Sequence, residues 1–307
     1  MWLILAATTG GCGKVDPTEA APVVDLAEAN DPFYRAFLAD KEKRSGLGAK
    51  PAESENCAIE GQILWQGSPP AGDKTWLAPL SPLIERRNTP VEPRANPFFP
   101  VIGSASAQPQ GLAGVVVALV DGPVRPESPW PHGPLKVILR NHRLILEQDQ
   151  GQFAVGFIRP EDAISIELES GDFDTIRGRG AAFFACPFLK PKDTASRPLR
   201  RPGIVRLASG AGHFWMQGLV IASPTPLIAR TGADGKFRIT GVPPGQWSLL
   251  CFRPSQREKG RERDGETLET SLLDFEEPVV SSLAVQIGAA NAPLRIAADD
   301  RGFTLAK

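Results

Sequence analysis

Residue types suited to chemistry are scarce in this chain: three His, four Cys and two Met in 307 residues. The densest grouping is GHFWM at 212–216, where His213 and Met216 offer an imidazole and a thioether, both ligands for transition metals. In a regular strand these two positions face opposite sides, because side chains alternate with period two, so they converge only if GHFWM is a bend. His142, in RNHR, is placed to approach His213 in the folded block, whereas His132, between prolines in WPHGP, reads as loop. The packing alternative puts His213 at a sheet edge, His142 on the surface, and Trp215 and Met216 in cores. It is the expectation here: no metal, with His213, Met216 and His142 as the candidate ligands if one binds.

Carboxylate pairs for general acid–base work would be Asp172 with Asp174 in SGDFD, or Glu161 with Asp162. Both pairs sit at turn positions, where carboxylates ordinarily cap or face water. No G-x-S-x-G, H-E-x-x-H, P-loop or Rossmann fingerprint occurs. A net charge of −1 gives no electrostatic case for nucleic acid. The basic runs RRPG and REKGRER read as solvated loops.

The elements that would position these groups are strands. Thirty Gly and thirty Pro suit short strands joined by turns, and the length allows two ordinary domains. CAIEGQILWQG at 57–67 alternates cleanly, and LAGVVVALV at 112–120 is a continuous apolar run expected of a central strand covered on both faces. Strands are expected over 135–139, 143–148, 152–158, 163–169, 181–186, 203–208 and 214–222, a density that describes a sandwich or Greek-key barrel. Ala233-Asp234-Gly235 offers a hairpin turn between LIART and KFRIT, and VPPG at 242–245 a second turn before QWSLLCF. Pro-rich 68–110 is expected to be a wrapping excursion or partly disordered. The charged stretch 254–276 is expected to be an exposed loop.

At the N-terminus, MWLILAATTGGCGK is an apolar run, then small residues, then Cys12. That order resembles the lipobox of bacterial lipoproteins, which implies export and lipidation at Cys12. Residues 13–55 read as a linker carrying one helix, capped by Asp31, with Pro32 at its first turn and Phe33, Phe37 and Leu38 on one face. Three thiols then remain, permitting one disulfide. Parity lets Cys57 and Cys251 both point into one core; a Cys57–Cys251 bridge and three separate buried small hydrophobes, Cys186 included, stand as alternatives.

TGADGKFRITGVPPGQWSL at 231–249 resembles the signature of transthyretin-like, carboxypeptidase-regulatory-type β-sandwich modules, through Thr231, Asp234, Gly235, Phe237, Ile239, Pro243, Pro244 and Gly245. The intervening block, through GHFWM, resembles cupredoxins. Together these resemble exported, chiefly planctomycete-type lipoproteins carrying an inserted cupredoxin-like sandwich. The resemblance implies an all-β chain of two β-sandwiches plus one N-terminal helix. Its parts would be a signal at 1–12, the linker at 13–55, a split prealbumin-like sandwich at 56–122 and 223–300, and a cupredoxin-like Greek-key sandwich at 123–222. Of the copper ligands such a domain would need, the Cys falls on Gly210 and the upstream His near Ile176 or Arg177, so the set is incomplete. The expected function is a non-enzymatic envelope lipoprotein that binds or scaffolds, held to the membrane by its lipid, with an envelope protein or glycan as partner. The alternatives are a copper-binding or redox protein with an altered site, and a carbohydrate-binding module using Trp76 and Trp130 as exposed aromatics.

Overall fold

The computed structural model describes Asp31 and most of residues 57–306; residues 1–30, 32–56, 80–90, 104–109, 123–128, 264–269 and 289–291, with 67, 69, 172 and 307, lie outside the description. The signal, Cys12 and the N-terminal helix beyond Asp31 therefore fall outside the described residues. Among the described residues every regular element is a strand, so the chain is all-β.

The first six strands are β1 (Cys57–Trp65), β2 (Thr75–Pro79), β3 (Val91–Ala95), β4 (Val101–Ile102), β5 (Gln110–Ala113) and β6 (Val116–Val120). Ten follow: β7 (Lys136–Arg140), β8 (Leu144–Gln148), β9 (Gly151–Phe153), β10 (Val155–Ile158), β11 (Ala163–Ser170), β12 (Asp174–Gly180), β13 (Phe184–Phe188), β14 (Thr194–Pro198), β15 (Gly203–Ser209) and β16 (Gln217–Ala222). The last eight are β17 (Ile228–Arg230), β18 (Lys236–Val242), β19 (Gly245–Arg253), β20 (Glu258–Arg263), β21 (Thr270–Phe275), β22 (Val279–Ile287), β23 (Leu294–Ala298) and β24 (Phe303–Leu305).

Early and late strands pair directly. One sheet runs β24-β23-β1-β5-β4, with β18 also on β1, and a second runs β17-β6-β19-β22. Between them lies a core of Ile59, Ile63, Trp65, Phe237, Ile239, Leu249 and Ile296. The motif residues explain the join. Thr231 Oγ1 donates to Leu112 O at 2.7 Å and accepts from Val115 N at 2.9 Å, so the segment before the TGADG turn is stitched to the β5–β6 junction; the turn joins strands of different sheets, β17 on β6 and β18 on β1, and so does not close the hairpin expected of LIART and KFRIT. Trp247 Nε1 donates to Pro243 O at 2.9 Å and ties the VPPG turn to β19.

Residues 112–120 are two strands in different sheets, not the single strand expected. Gly114, at φ 76, turns the chain between them, a conformation that glycine adopts without steric cost. The double coverage expected of this run does hold for β6. Val117 and Leu119 face the first core, while Val116 and Ala118 face a second, larger one. The β6–β19 centre of the β17-β6-β19-β22 sheet is thus buried on both sides, with Leu250 and Phe252 of β19 also entering the second core, while Ser282, Ala284 and Gln286 of the edge strand β22 are exposed.

That second core belongs mainly to the middle strands. Their two sheets run β10-β16-β15-β12-β13 and β14-β11-β7-β8-β9. The β11 pattern of alternate burial through Ile164, Ile166 and Leu168 is the expected one. Residues 152–158, read as one strand, divide into β9 and β10 in opposite sheets.

Two stretches read as loop carry structure. Within 68–110, β2 pairs β3, and Trp76 and Phe98 are buried in the larger core. Within 254–276, β20 pairs β21, and Leu273 and Phe275 reach the same core. Sparse, well-placed apolar residues suffice to dock both hairpins, although most of their neighbours are polar or proline.

Candidate functional site

The loop between β15 and β16 holds GHFWM, and it is a bend. Met216 N donates to His213 O at 2.8 Å, and Gly212 has a φ of 85. The strand expected from 214 starts only at Gln217. Trp215 and Met216 both enter the larger core, as the packing reading expects.

His213 departs from that reading. It is not an edge residue: only 3% of it is exposed, and its Nδ1 lies 2.8 Å from Oδ2 of Asp174, which is equally buried. Asp174 opens β12, the strand beside β15, and shares inward parity with Ile176 and Gly178. Its other oxygen, Oδ1, accepts from Ser209 Oγ and from Thr175 N, both at 2.7 Å. Ser209 Oγ in turn accepts from Ala211 N at 3.1 Å. Both carboxylate oxygens are therefore used in pinning the loop to the ends of β12 and β15. The turn position expected of Asp174, where it would cap or face water, is corrected: it is a buried residue of β12.

His142 does meet His213. Asn141 and His142, at φ 48 and 56, form the two-residue turn of the β7–β8 hairpin, closed by reciprocal bonds of 3.0 Å between Arg140 and Arg143. Trp215 Nε1 donates to His142 O at 2.7 Å, which docks that hairpin tip onto the loop. The two imidazole rings lie 4.5 Å apart, centroid to centroid. Trp215 also packs beneath the Arg94 guanidinium at 5.0 Å.

This geometry limits the chemistry. A nucleophilic triad needs the imidazole between hydroxyl and carboxylate, so that it can take the hydroxyl proton. Here the carboxylate is central, and Ser209 and His213 both bond to it. An Asp on Nδ1 fixes the ring so that Nε2 is the nitrogen directed away from the carboxylate. A type 1 copper centre does not fit these residues. The thiolate position falls on Gly210, where a Cβ would lie 2.6 Å from Arg177 Nε and 3.1 Å from Thr175 O, and His213 Nδ1 is committed to Asp174. Among the described residues, no group of three or more His, Cys, Asp and Glu could hold a metal ion.

The remaining candidates lie apart. Glu161 is exposed at a φ of 78, and Asp162 pairs with Arg159 at 2.8 Å, so the two do not form a catalytic couple; Asp172 is outside the described residues. His132 is in a loop as read, yet it is held at both ring nitrogens, by Asp149 Oδ2 at 2.7 Å and Ile228 O at 3.0 Å. Cys57 and Cys251 face the same core, and no disulfide joins them. Trp76 is only 5% exposed, against the expectation of an exposed aromatic, because its ring packs on Phe214 and Phe275. Trp130 is half-buried beside His132.

No family model matches the chain, and no curated protein matches it. A solved structure that it resembles in part is the Novel Purple Cupredoxin from Nitrosopumilus maritimus, at 14% identity over 28% of this chain and 96% of that one, with a TM-score of 0.23. The likeness is weak, and at that score it bears on no individual residue.

Proposed function

We propose that this chain is a non-enzymatic module of the cell envelope, exported and lipid-anchored at Cys12, whose β-sandwiches bind or scaffold an envelope protein or glycan. One observation supports the non-enzymatic part most directly: the buried Asp174 carboxylate spends both oxygens on Ser209, Thr175 and His213, holding a loop in place. The polar groups of this cluster serve architecture. The ordering of N-terminal residues around Cys12 supports the anchor.

The test uses the full chain expressed in a bacterial host. Membrane fractionation and labelled fatty-acid incorporation should both be lost in Cys12→Ser. Purified wild-type protein should retain no stoichiometric copper after loading and dialysis, and should leave envelope polymers uncleaved. Polymer turnover abolished by His213→Ala would overturn the non-enzymatic reading. Copper retained by wild type and lost in His213→Ala would favour the altered metal site instead.

A further inference from the structure

Three of the large apolar side chains exposed among the described residues flank the strands of one hairpin, β12–β13: Phe173 at 40%, Phe183 at 74% and Leu189 at 74%. These strands form one end of their sheet, with β13 at its edge. Asp174, Ile176 and Gly178 of β12 and Cys186 and Phe188 of β13 are buried, so the alternate positions face outward. Those positions are Thr175, Arg177 and Arg179 on β12 and Ala185 and Pro187 on β13, and no acid is among them.

The register sets these residues side by side. Thr175 pairs with Pro187, Arg177 with Ala185 and Gly178 with Phe184. One step further at each end brings Arg179 beside Phe183 and Phe173 beside Leu189; Arg179 and Phe183 also line one shallow hollow together with Arg206. Arg206 is balanced by Asp274 at 3.4 Å, whereas the exposed Arg177 and Arg179 make no ion pair among the described residues. Lys190 and Lys192, exposed in the turn after Leu189, make none either. The one acid of that turn, Asp193, is engaged by the backbone N–H groups of Leu189 and Lys190 at 2.8 and 3.1 Å. The face is therefore apolar at both ends and carries uncompensated positive charge between and beside them.

We propose that this face docks on an anionic lipid surface, with Phe173, Phe183 and Leu189 entering the headgroup boundary and Arg177, Arg179, Lys190 and Lys192 among the lipid phosphates. Charge complementarity carries the argument, and extent decides against a single small ligand: Phe183 and Leu189 stand at the two ends of β13, about 20 Å apart along an extended chain. A partner strand is disfavoured too, since Pro187 takes a backbone donor out of the edge strand. Protruding apolar groups flanked by unpaired cations need no complementary pocket in a fluid interface. Their tips bury among the acyl chains while the charged heads stay with the anions. Each such cation strengthens attachment to an anionic leaflet roughly fivefold. This contact is independent of the anchor proposed at Cys12 and would act beside it.

The experiment is vesicle sedimentation of the full chain carrying Cys12→Ser, which removes lipidation, so that this contact and the anchor are read separately. The protein should associate with mixed phosphatidylcholine–phosphatidylglycerol vesicles at least about tenfold more strongly than with phosphatidylcholine alone. Arg177→Gln/Arg179→Gln should weaken that association about twenty- to thirtyfold, and Phe183→Ser/Leu189→Ser by at least about tenfold. All four positions face solvent, so the urea midpoints of both double variants should match the parent's, which separates lost docking from lost fold. Association unchanged in both double variants would overturn the proposal and assign the binding elsewhere on the chain. So would a parent that associates with neither vesicle; capture of a soluble acidic polysaccharide in their place would make the face a site for an acidic macromolecule.

Discussion

His213 and Asp174 stand 39 residues apart in sequence and 2.8 Å apart in space, each with a side chain only 4% exposed. A buried pair of this kind adds little stability relative to a well-packed apolar pair, but removing one partner leaves the other without compensation. Asp174→Ala should therefore lower unfolding stability by about 3–5 kcal/mol, read from urea denaturation followed by tryptophan fluorescence. Ser209→Ala removes one neutral-donor bond to the same carboxylate and should cost nearer 1 kcal/mol. Equal, small effects from both would mean that the pair does not hold the loop.

The pair was hidden in the sequence for a definable reason. β12 alternates Asp174, Ile176 and Gly178 inward, so of its three core positions a single one is apolar, and the strand escapes a hydrophobic-pattern reading. β11 was legible because Ile164, Ile166 and Leu168 mark its inward face without exception. The hairpin β20–β21 was obscured in the same way as β12: EKGRER gives no apolar alternation, and the docking falls to Leu273 and Phe275 on the partner strand. The TGADG and VPPG turns could be read because turn chemistry is local. The approach of His142 to His213 was only a suggestion from sequence, since it depends on how two loops from different sheets meet.

The three described cysteines should differ in reactivity. Burial pushes the Cys251 thiol up to about 12, and it raises Cys186 as well, against a smaller opposing effect of Arg197. The thiolate is the nucleophile, so neither should react with maleimide at pH 7.5 in the native state. Cys57, which is partly exposed, should be labelled first. Mass spectrometry of native and urea-unfolded samples checks this; rapid native labelling of Cys251 would contradict its burial.

The turn at Asp234, between β17 and β18, should leave an acid-side signature. Its carboxyl is held below the ordinary value, first by the Lys236 backbone N–H at 3.0 Å and then by the Lys236 side chain. A carboxyl whose folded pKa is depressed contributes stability above its unfolded pKa, near 3.8, and loses it as pH falls through the lower folded value. Wild type should thus be more stable than Asp234→Ala at pH 6, by well under about 1 kcal/mol because the group is solvent-screened. The two should converge as pH falls through the lowered folded value.

Close backbone approach makes a second test of that turn. A Cβ on Gly111 would lie 2.1 Å from Asp234 O and 2.7 Å from Gly235 N, both backbone atoms that cannot rotate away. Gly111→Ala should therefore displace the Asp234–Gly235 turn from β5 and cost about 3 kcal/mol or more, the range of severe overpacking. Gly260→Ala, where a Cβ meets nothing within 4 Å, is the control and should change the urea midpoint little.

Arg230 ties β17 to the middle strands and allows the sharpest test of the seam between the sandwiches. Its guanidinium lies 3.4 Å from the Phe153 ring centroid and 4.6 Å from that of Phe157. It also donates through Nη1 to Val155 O at 2.8 Å and through Nη2 to Gln148 Oε1 at 3.3 Å. Burial pulls its pKa down to about 10, partly offset by Asp149, so at pH 7 the cation is still charged and relies on the rings and the two acceptors to replace water. A lysine keeps the charge but lacks the planar fork that stacks and donates twice. Arg230→Lys should cost about 1–3 kcal/mol, and Arg230→Ala more, because Val155 O then loses its donor in a buried position. Unfolding curves for the two variants that overlay wild type would show that neither stacking nor the fork holds the seam, leaving His132 and the shared apolar core to do so.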